Sequence, residues 1–415
     1  MARRVTPVPG AGPATHDEQI TYRRWSTLPD WLRGERAGTV PLPGLPASAV
    51  TIGRPAGTTD YADPHTGTTR TWEYATWTAP VQTIGYGASE LVASWNADTP
   101  AGTWLQVEMR GTYTNGEPTP WFVMGRWASG DGDIKRTSVD GQGDPYSSIR
   151  TDTFSVDDPA KGVLLADYQL RLTLYRAPGS RALPRVRELG AMTSFVPDRF
   201  EVAPSAGRIA WGRELAVPRR SQNIHVGEYP EYGGGEAWCS PASTTMVLEY
   251  WGRNPGAAEL SQVGHAARST YDHQYEGAGN WPFNTAYAAT YGLTGIVTRL
   301  HSLDEAERFV AAGIPVITSQ SFLAAELDGA TYGTAGHLMV IIGFTADGDV
   351  IVNDPASPSN DAVRHVYRRA QFEQVWRRTK RHRADGSVAG GSGGVAYLIK
   401  PWWKPWPRVA GSENW

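Results

Sequence analysis

The stretch GHLMVIIGFTADGDVIVNDPAS, residues 336–357, decides how the second half of this 415-residue chain folds. HLMVIIGF and VIVND read as two strands, and the DGD between them as a hairpin turn. His337 begins the first strand and Asp354 ends the second. A turn centred between 345.5 and 347.5 pairs residues whose numbers sum to 691 through 695, which sets Asp354 opposite a residue between 337 and 341. The hairpin alone brings His337 and Asp354 within reach of a hydrogen bond, given a bulge or a one-residue slip. Pro355 cannot donate to a ladder and ends the strand just after the acid.

Upstream, GGGEAWCSPAS, residues 233–243, holds Cys239, the only cysteine in the chain. It stands where a helix should begin, because Pro241 suits a first turn and Ser243, Met246, Val247 and Tyr250 follow at helical spacing up to Gly252. A helix start favours negative charge, and such sites lower a thiol from about 8.5 into the range ~3.5–7.5. Glycines 233 to 235 let the backbone come close, as a substrate cleft requires. Cys239, Ser243, Met246 and Tyr250 share one helix face, which opens the thiol at a seam between helix and sheet. A nucleophilic thiol needs a base and the base an orienting group, roles that suit Cys239, His337 and Asp354. A buried inert thiol, a strand-end histidine and a turn carboxylate are the plain alternatives. Asn353 is a rival third member, but alternation sends it to the opposite sheet face from Asp354.

Other patterns complete the architecture. TWLQVEMRG sets Leu105, Val107 and Met109 against Gln106, Glu108 and Arg110, and YQLRLTLYR alternates Leu170, Leu172 and Leu174 in the same way. Turn clusters such as NADTPAG and TNGEPTP separate these strands. They predict an all-β sandwich, jelly-roll-like, over residues 46–198. Residues 1–45 read as an arm, 199–217 as a linker, 218–400 as an α+β domain and 401–415 as an aromatic, proline-rich tail that either packs or dangles. SLDEAERFVAAG carries a capping box from Ser302 to Glu305, and GSVAGGSGG reads as a flexible loop. YEGAGNWPFNTAYAATYG either lines a cleft or forms a core helix.

The balance of 39 basic to 42 acidic residues leaves no surplus to neutralise phosphates, which argues against nucleic acid as a partner. No run is long and apolar enough to span a bilayer, and the first residues lack the apolar segment of a secretory signal. As written the chain reads as cytoplasmic, or as secreted if an export signal is missing; one cysteine does not settle the redox compartment. Nine histidines show no H-E-x-x-H and no cysteine spacing, so neither a metal nor a cofactor is expected. Outward aromatic residues of the sandwich either stack on a carbohydrate or cell-wall ligand or cap its core.

AWCSPAS, GHLMVIIGF and VIVNDPAS together resemble the papain-like cysteine peptidases typified by the bacteriocin-processing, double-glycine leader peptidases, and more closely their stand-alone bacterial branch. The resemblance covers about residues 215–400 and includes the chain order Cys239, His337, Asp354. It implies a papain-like fold, a peptide or protein substrate, and an upstream glutamine that donates to the oxyanion, matched by Gln222 in VPRRSQN. It implies hydrolysis of peptide bonds through a thioester acyl-enzyme. An amidase or acyltransferase with the same triad, or a silent peptidase-like binding protein, are the other readings. No transporter segments follow, so a role in bacteriocin export is not implied.

Overall fold

The computed structural model describes residues 18–44, 47–256 and 260–415. Two seven-stranded antiparallel sheets form the N-terminal all-β domain. One runs in the order Ser147–Arg150, Thr153–Val156, Glu90–Asp98, Arg185–Phe195, Ala49–Ile52, Thr39–Leu42, with Gln19–Trp25 also on Arg185–Phe195. The other is centred on Thr103–Tyr113, Leu165–Arg176 and Thr69–Thr78. Alternation sets its register: Leu170, Leu172 and Leu174 pair with Met109, Val107 and Leu105, and all six are fully buried. Each such side chain contributes roughly 1.5–3 kcal/mol on burial. On the opposite face Arg171 clasps Glu108 with two hydrogen bonds of 2.8 Å and covers the Trp121 ring.

The expected arm, as far as it lies within the described residues, belongs to this domain. Gln19–Trp25 pairs along its whole length with Arg185–Phe195, and a short helix, Leu28–Arg33, buries Trp31 against Trp77. Proline and glycine had suggested an extended arm, but Ile20, Trp25 and Trp31 are buried and fix the segment. Residues 1–17 lie outside the described residues. Sandwich tryptophans 25, 31, 72, 77, 95, 104 and 127 are at most 2% exposed and fill its cores, whereas Trp121 is partly exposed beneath Arg110 and Arg171.

The second domain is mixed α+β. Its antiparallel sheet runs Leu293–Arg299, Val395–Pro401, Val316–Phe322, Thr334–Phe344, Val350–Asn353, Arg364–Tyr367. The helix Cys239–Tyr250 packs on Thr334–Phe344, with the Ser243 hydroxyl on the Leu338 carbonyl at 3.2 Å and the Tyr250 hydroxyl on the Gly313 carbonyl at 3.0 Å. Helix Leu303–Ala311 starts at Ser302 without the expected capping box; the Glu305 carboxylate takes the His301 N–H, and Glu373 takes that of Leu303. Part of the expected flexible loop is a strand, Val388–Gly390, paired with Lys380–His382.

The expected linker, residues 199–217, is tied to the second domain. Glu307 accepts the N–H groups of Ile209 and Ala210, Glu373 accepts that of Ser205, and Arg213–Glu214 adds a strand to the second sheet. The tail packs: Asn414 is fully buried and donates to the Arg299 carbonyl and to Glu305, while Trp415 meets the Phe309 ring edge-on.

One apolar core runs through both domains. Helix Trp281–Thr290 lies against the sandwich strand Glu90–Asp98, and its Phe283 packs against Trp95 and Trp127. The Asn96 side chain of that strand pairs with the backbone of Gly295 as both donor and acceptor.

Candidate active site

The local reasons for the shape around Cys239 lie in its glycines. Gly233 and Gly234 take φ of 90° and 72°, left-handed values that suit glycine and that let three short turns fold back between Gln222 and the helix. At Gly235 a Cβ would fall 2.2 Å from the carbonyl carbon of His225. The close approach expected of a substrate is thus made by the protein's own chain. Cys239 is the first residue of its helix, at a position with no intrahelical partner for the backbone N–H.

The hairpin pairs Val340 with Asn353 and Ile341 with Val352, then shifts register before Gly343. With that bulge, the His337 Nε2–H reaches the Asp354 carboxylate at 2.8 Å. Asn353 turns to the other face, where its amide donates to the carbonyls of Val217 and Pro218. With Nε2 on Asp354, Nδ1 of His337 is the ring nitrogen left to act on the Cys239 thiol, and the two side chains line the same cleft.

Electrostatics follow from these contacts. Burial opposes a thiolate at Cys239, but the His337 hydrogen bond and charge outweigh it and hold the thiol below its ordinary value. Burial likewise opposes charge on His337, yet Asp354 and then Cys239 raise the imidazole to about 10. Asp354 is lowered despite its burial, by His337 first and then by the Tyr332 hydroxyl and the Ala356 N–H. The arrangement favours a thiolate beside an imidazolium.

Gln222 lies in the same cleft. Its backbone N–H donates to the Pro355 carbonyl and its side-chain amide to the Glu236 carbonyl at 2.8 Å, while Oε1 has no partner among the described residues. One amide hydrogen remains for another acceptor. The four residues singled out in the sequence are therefore brought together at one place.

Sequence reasoning missed the residues that hold the acid. The hydroxyls of Tyr332 and Tyr367 donate to the second Asp354 oxygen at 2.8 and 3.1 Å, and the Tyr332 ring stands edge-on to His337. Nothing in their spacing marks them, because they come from a loop and a separate strand. Also missed was the sandwich's share of the cleft. The cavity of about 1050 Å³ is walled on one side by Cys239, His337 and Tyr275 and on the other by Arg150, Asp152 and Glu90 of the first domain. YEGAGNWPFNTAYAATYG does both things expected of it as alternatives: Tyr275 lines the cleft, and Trp281–Thr290 is a buried helix. Among the described residues no three metal-ligating side chains gather, and no helix is long and apolar enough to cross a membrane.

The chain is thus an all-β domain followed by an α+β domain, with Cys239 and His337 lining a cleft to which both domains contribute. Residues 214–384 match the Peptidase_C39 like family and residues 21–194 match the Peptidase C39 N-terminal domain. The second domain belongs to the C39-like peptidase family, and the first matches that family's distinct N-terminal domain. Among solved structures, a protein of Bacillus anthracis assigned as a C39-like peptidase is similar over 45% of this chain and 96% of its own, at 17% identity and a TM-score of 0.29. No curated protein matches the chain.

Proposed function

We propose that this chain is a cysteine peptidase that acts through Cys239, His337 and Asp354, with Gln222 as an oxyanion donor. The observation that carries the reading is the His337–Asp354 pair at 2.8 Å, with His337 and Cys239 on the wall of one cleft. The Cys239 thiolate attacks the carbonyl carbon of a peptide bond. The carbonyl electrons move onto oxygen, which accepts the Cys239 backbone N–H and the free hydrogen of the Gln222 amide. Losing one such donor typically costs about 10²–10³ in rate. His337 passes its Nδ1 proton to the departing amine as the C–N bond breaks, leaving a thioester on Cys239. Water then gives a proton back to His337 and attacks the thioester, and the thiolate leaves. Asp354 keeps the imidazole tautomer fixed throughout.

The test is hydrolysis of a mixed peptide library by the full chain, followed by mass spectrometry. Cleavage by the wild type, absent in Cys239→Ser with an unchanged melting curve, is the expected result. Equal cleavage by the variant would remove Cys239 from the chemistry.

A further inference from the structure

The sandwich delivers a carboxylate into the cleft that the proposed mechanism does not use. Strands Ser147–Arg150 and Thr153–Val156 form a hairpin whose tip is Thr151 and Asp152. Thr151 sits at φ 58°, a left-handed value unfavourable to a β-branched residue, so the tip is held against backbone preference. Asp152 is only 6% exposed. One oxygen accepts the Trp281 N–H at 2.7 Å and the other the Thr153 hydroxyl at 3.0 Å.

Among the described residues no cation pairs with it. Of the basic side chains on the cleft wall, Arg299 pairs with Glu90, His337 with Asp354, and the largely exposed Arg150 lies 3.4 Å from Asp157. Among the described residues no ion pair reaches Asp152. A buried carboxylate without a cation is costly, and burial, with the nearby Asp272 adding to it, pushes Asp152 up to about 7. An arriving cation would reverse that cost.

Tyr275 marks where such a cation would sit. Its ring is 52% exposed and leans over Gly277 and Gly279 on the cleft wall. Tyr275, Asp152 and Cys239 line the same cleft, and after burial the charges of Cys239, Asp152 and Asp272 in that order raise the Tyr275 hydroxyl. An aromatic ring and a carboxylate without an ion-pair partner on the wall of one cleft suit an ammonium or guanidinium group.

We propose that Asp152 is a specificity residue of the cleft: with the Tyr275 ring it receives a cationic group of the substrate, a lysine or arginine side chain or a free amino terminus, beside the Cys239 thiol. This names the substrate class of the cysteine-peptidase reading and rests on it. The first domain thereby supplies part of the substrate site.

Because Cys239 is the sole cysteine, thiol reagents report on this cleft alone. The full chain is treated separately with three methanethiosulfonates: cationic (trimethylammonioethyl), neutral (methyl) and anionic (sulfonatoethyl). Each cationic and anionic rate is divided by the neutral rate of the same protein, which removes changes in thiol reactivity. Asp152→Asn keeps an oxygen for the Trp281 N–H but loses the charge, and the cationic-to-anionic ratio should fall at least fivefold. A smaller fall overturns the proposal. A second measurement needs no variant: n-butylammonium should protect wild-type Cys239 from the neutral reagent at concentrations where butyrate does not. Equal protection by the two, or none, also overturns it. A neutral-reagent rate typical of an unperturbed thiol would instead sink the peptidase reading while leaving the charge ratio readable, so the two failures are distinct.

Discussion

Two adjacent side chains, Asn353 and Asp354, compete in the sequence for the place beside His337. Strand alternation separates them, and the contacts follow: Asp354 meets the imidazole, and Asn353 ties the strand to Val217 and Pro218. The consequence is visible in pH. A lowered Cys239 keeps its thiolate below the ordinary thiol range and loses it only as acid reaches the lowered value. A raised His337 keeps its proton above the ordinary imidazole range and loses it only in alkali. The two shifts widen the pH window in which thiolate and imidazolium coexist, and the two titrations belong to the pair rather than to either residue. Alkylation of Cys239 by iodoacetamide should fall less than about tenfold between pH 8.5 and pH 6, whereas a free thiol titrating near 8.5 falls about 150-fold. Asp354→Asn removes the charge that supports the imidazolium. Its pH 6 rate should drop at least tenfold, with Asn353→Ala near wild type. The opposite pattern would transfer the orienting role to Asn353.

At the scale of elements, the helix Cys239–Tyr250 depends on how the chain enters it. The run Gly233–Gly235 serves two needs, left-handed turns at the first two positions and a backbone crossing at the third. At Gly235 the neighbour is His225 backbone, which cannot rotate aside. Gly235→Ala should thus cost about 1–3 kcal/mol, read as a lower melting temperature, as overpacking does. An unchanged melting temperature would mean that the crossing is not tight. The hairpin makes a similar point. Its turn and strands were readable from apolar runs around DGD, but the register shift before Gly343 was not, because a bulge leaves no compositional mark.

At the scale of the molecule, the two domains are one folding unit in their contacts. Alternating strands promised the sandwich a core of its own, and it has one, but that core continues through Trp95 and Phe283 into the second domain. Polar ties cross the same seam: Asn96 to Gly295, Arg187 to the Ala289 carbonyl, Asp152 to the Trp281 N–H, and Glu18 to Arg377. A chain beginning at Ala203 would expose the Trp281–Thr290 helix face and lose Asp152. It should aggregate or melt well below the full chain, as exposed apolar surface dictates. A soluble truncated chain with wild-type melting and wild-type Cys239 alkylation would show that the seam is dispensable.

The sequence by itself determined what depends on periodicity and chain order. Two-residue alternation is a local property, so the strands around Val107, Leu172 and Ile341 were legible, as were the helix that begins at Cys239 and the facing of His337 toward Asp354 across one hairpin. The tertiary structure alone decided what depends on distant segments meeting. It wove Gln19–Trp25 into the sandwich, because one strand's pairing partner lies about 170 residues away and leaves no local trace. It brought Tyr332 and Tyr367 onto the second oxygen of Asp354. It set Asp152 in the cleft of the other domain, since the cost of burying a carboxylate is settled by what surrounds it in space and not by its neighbours in the chain.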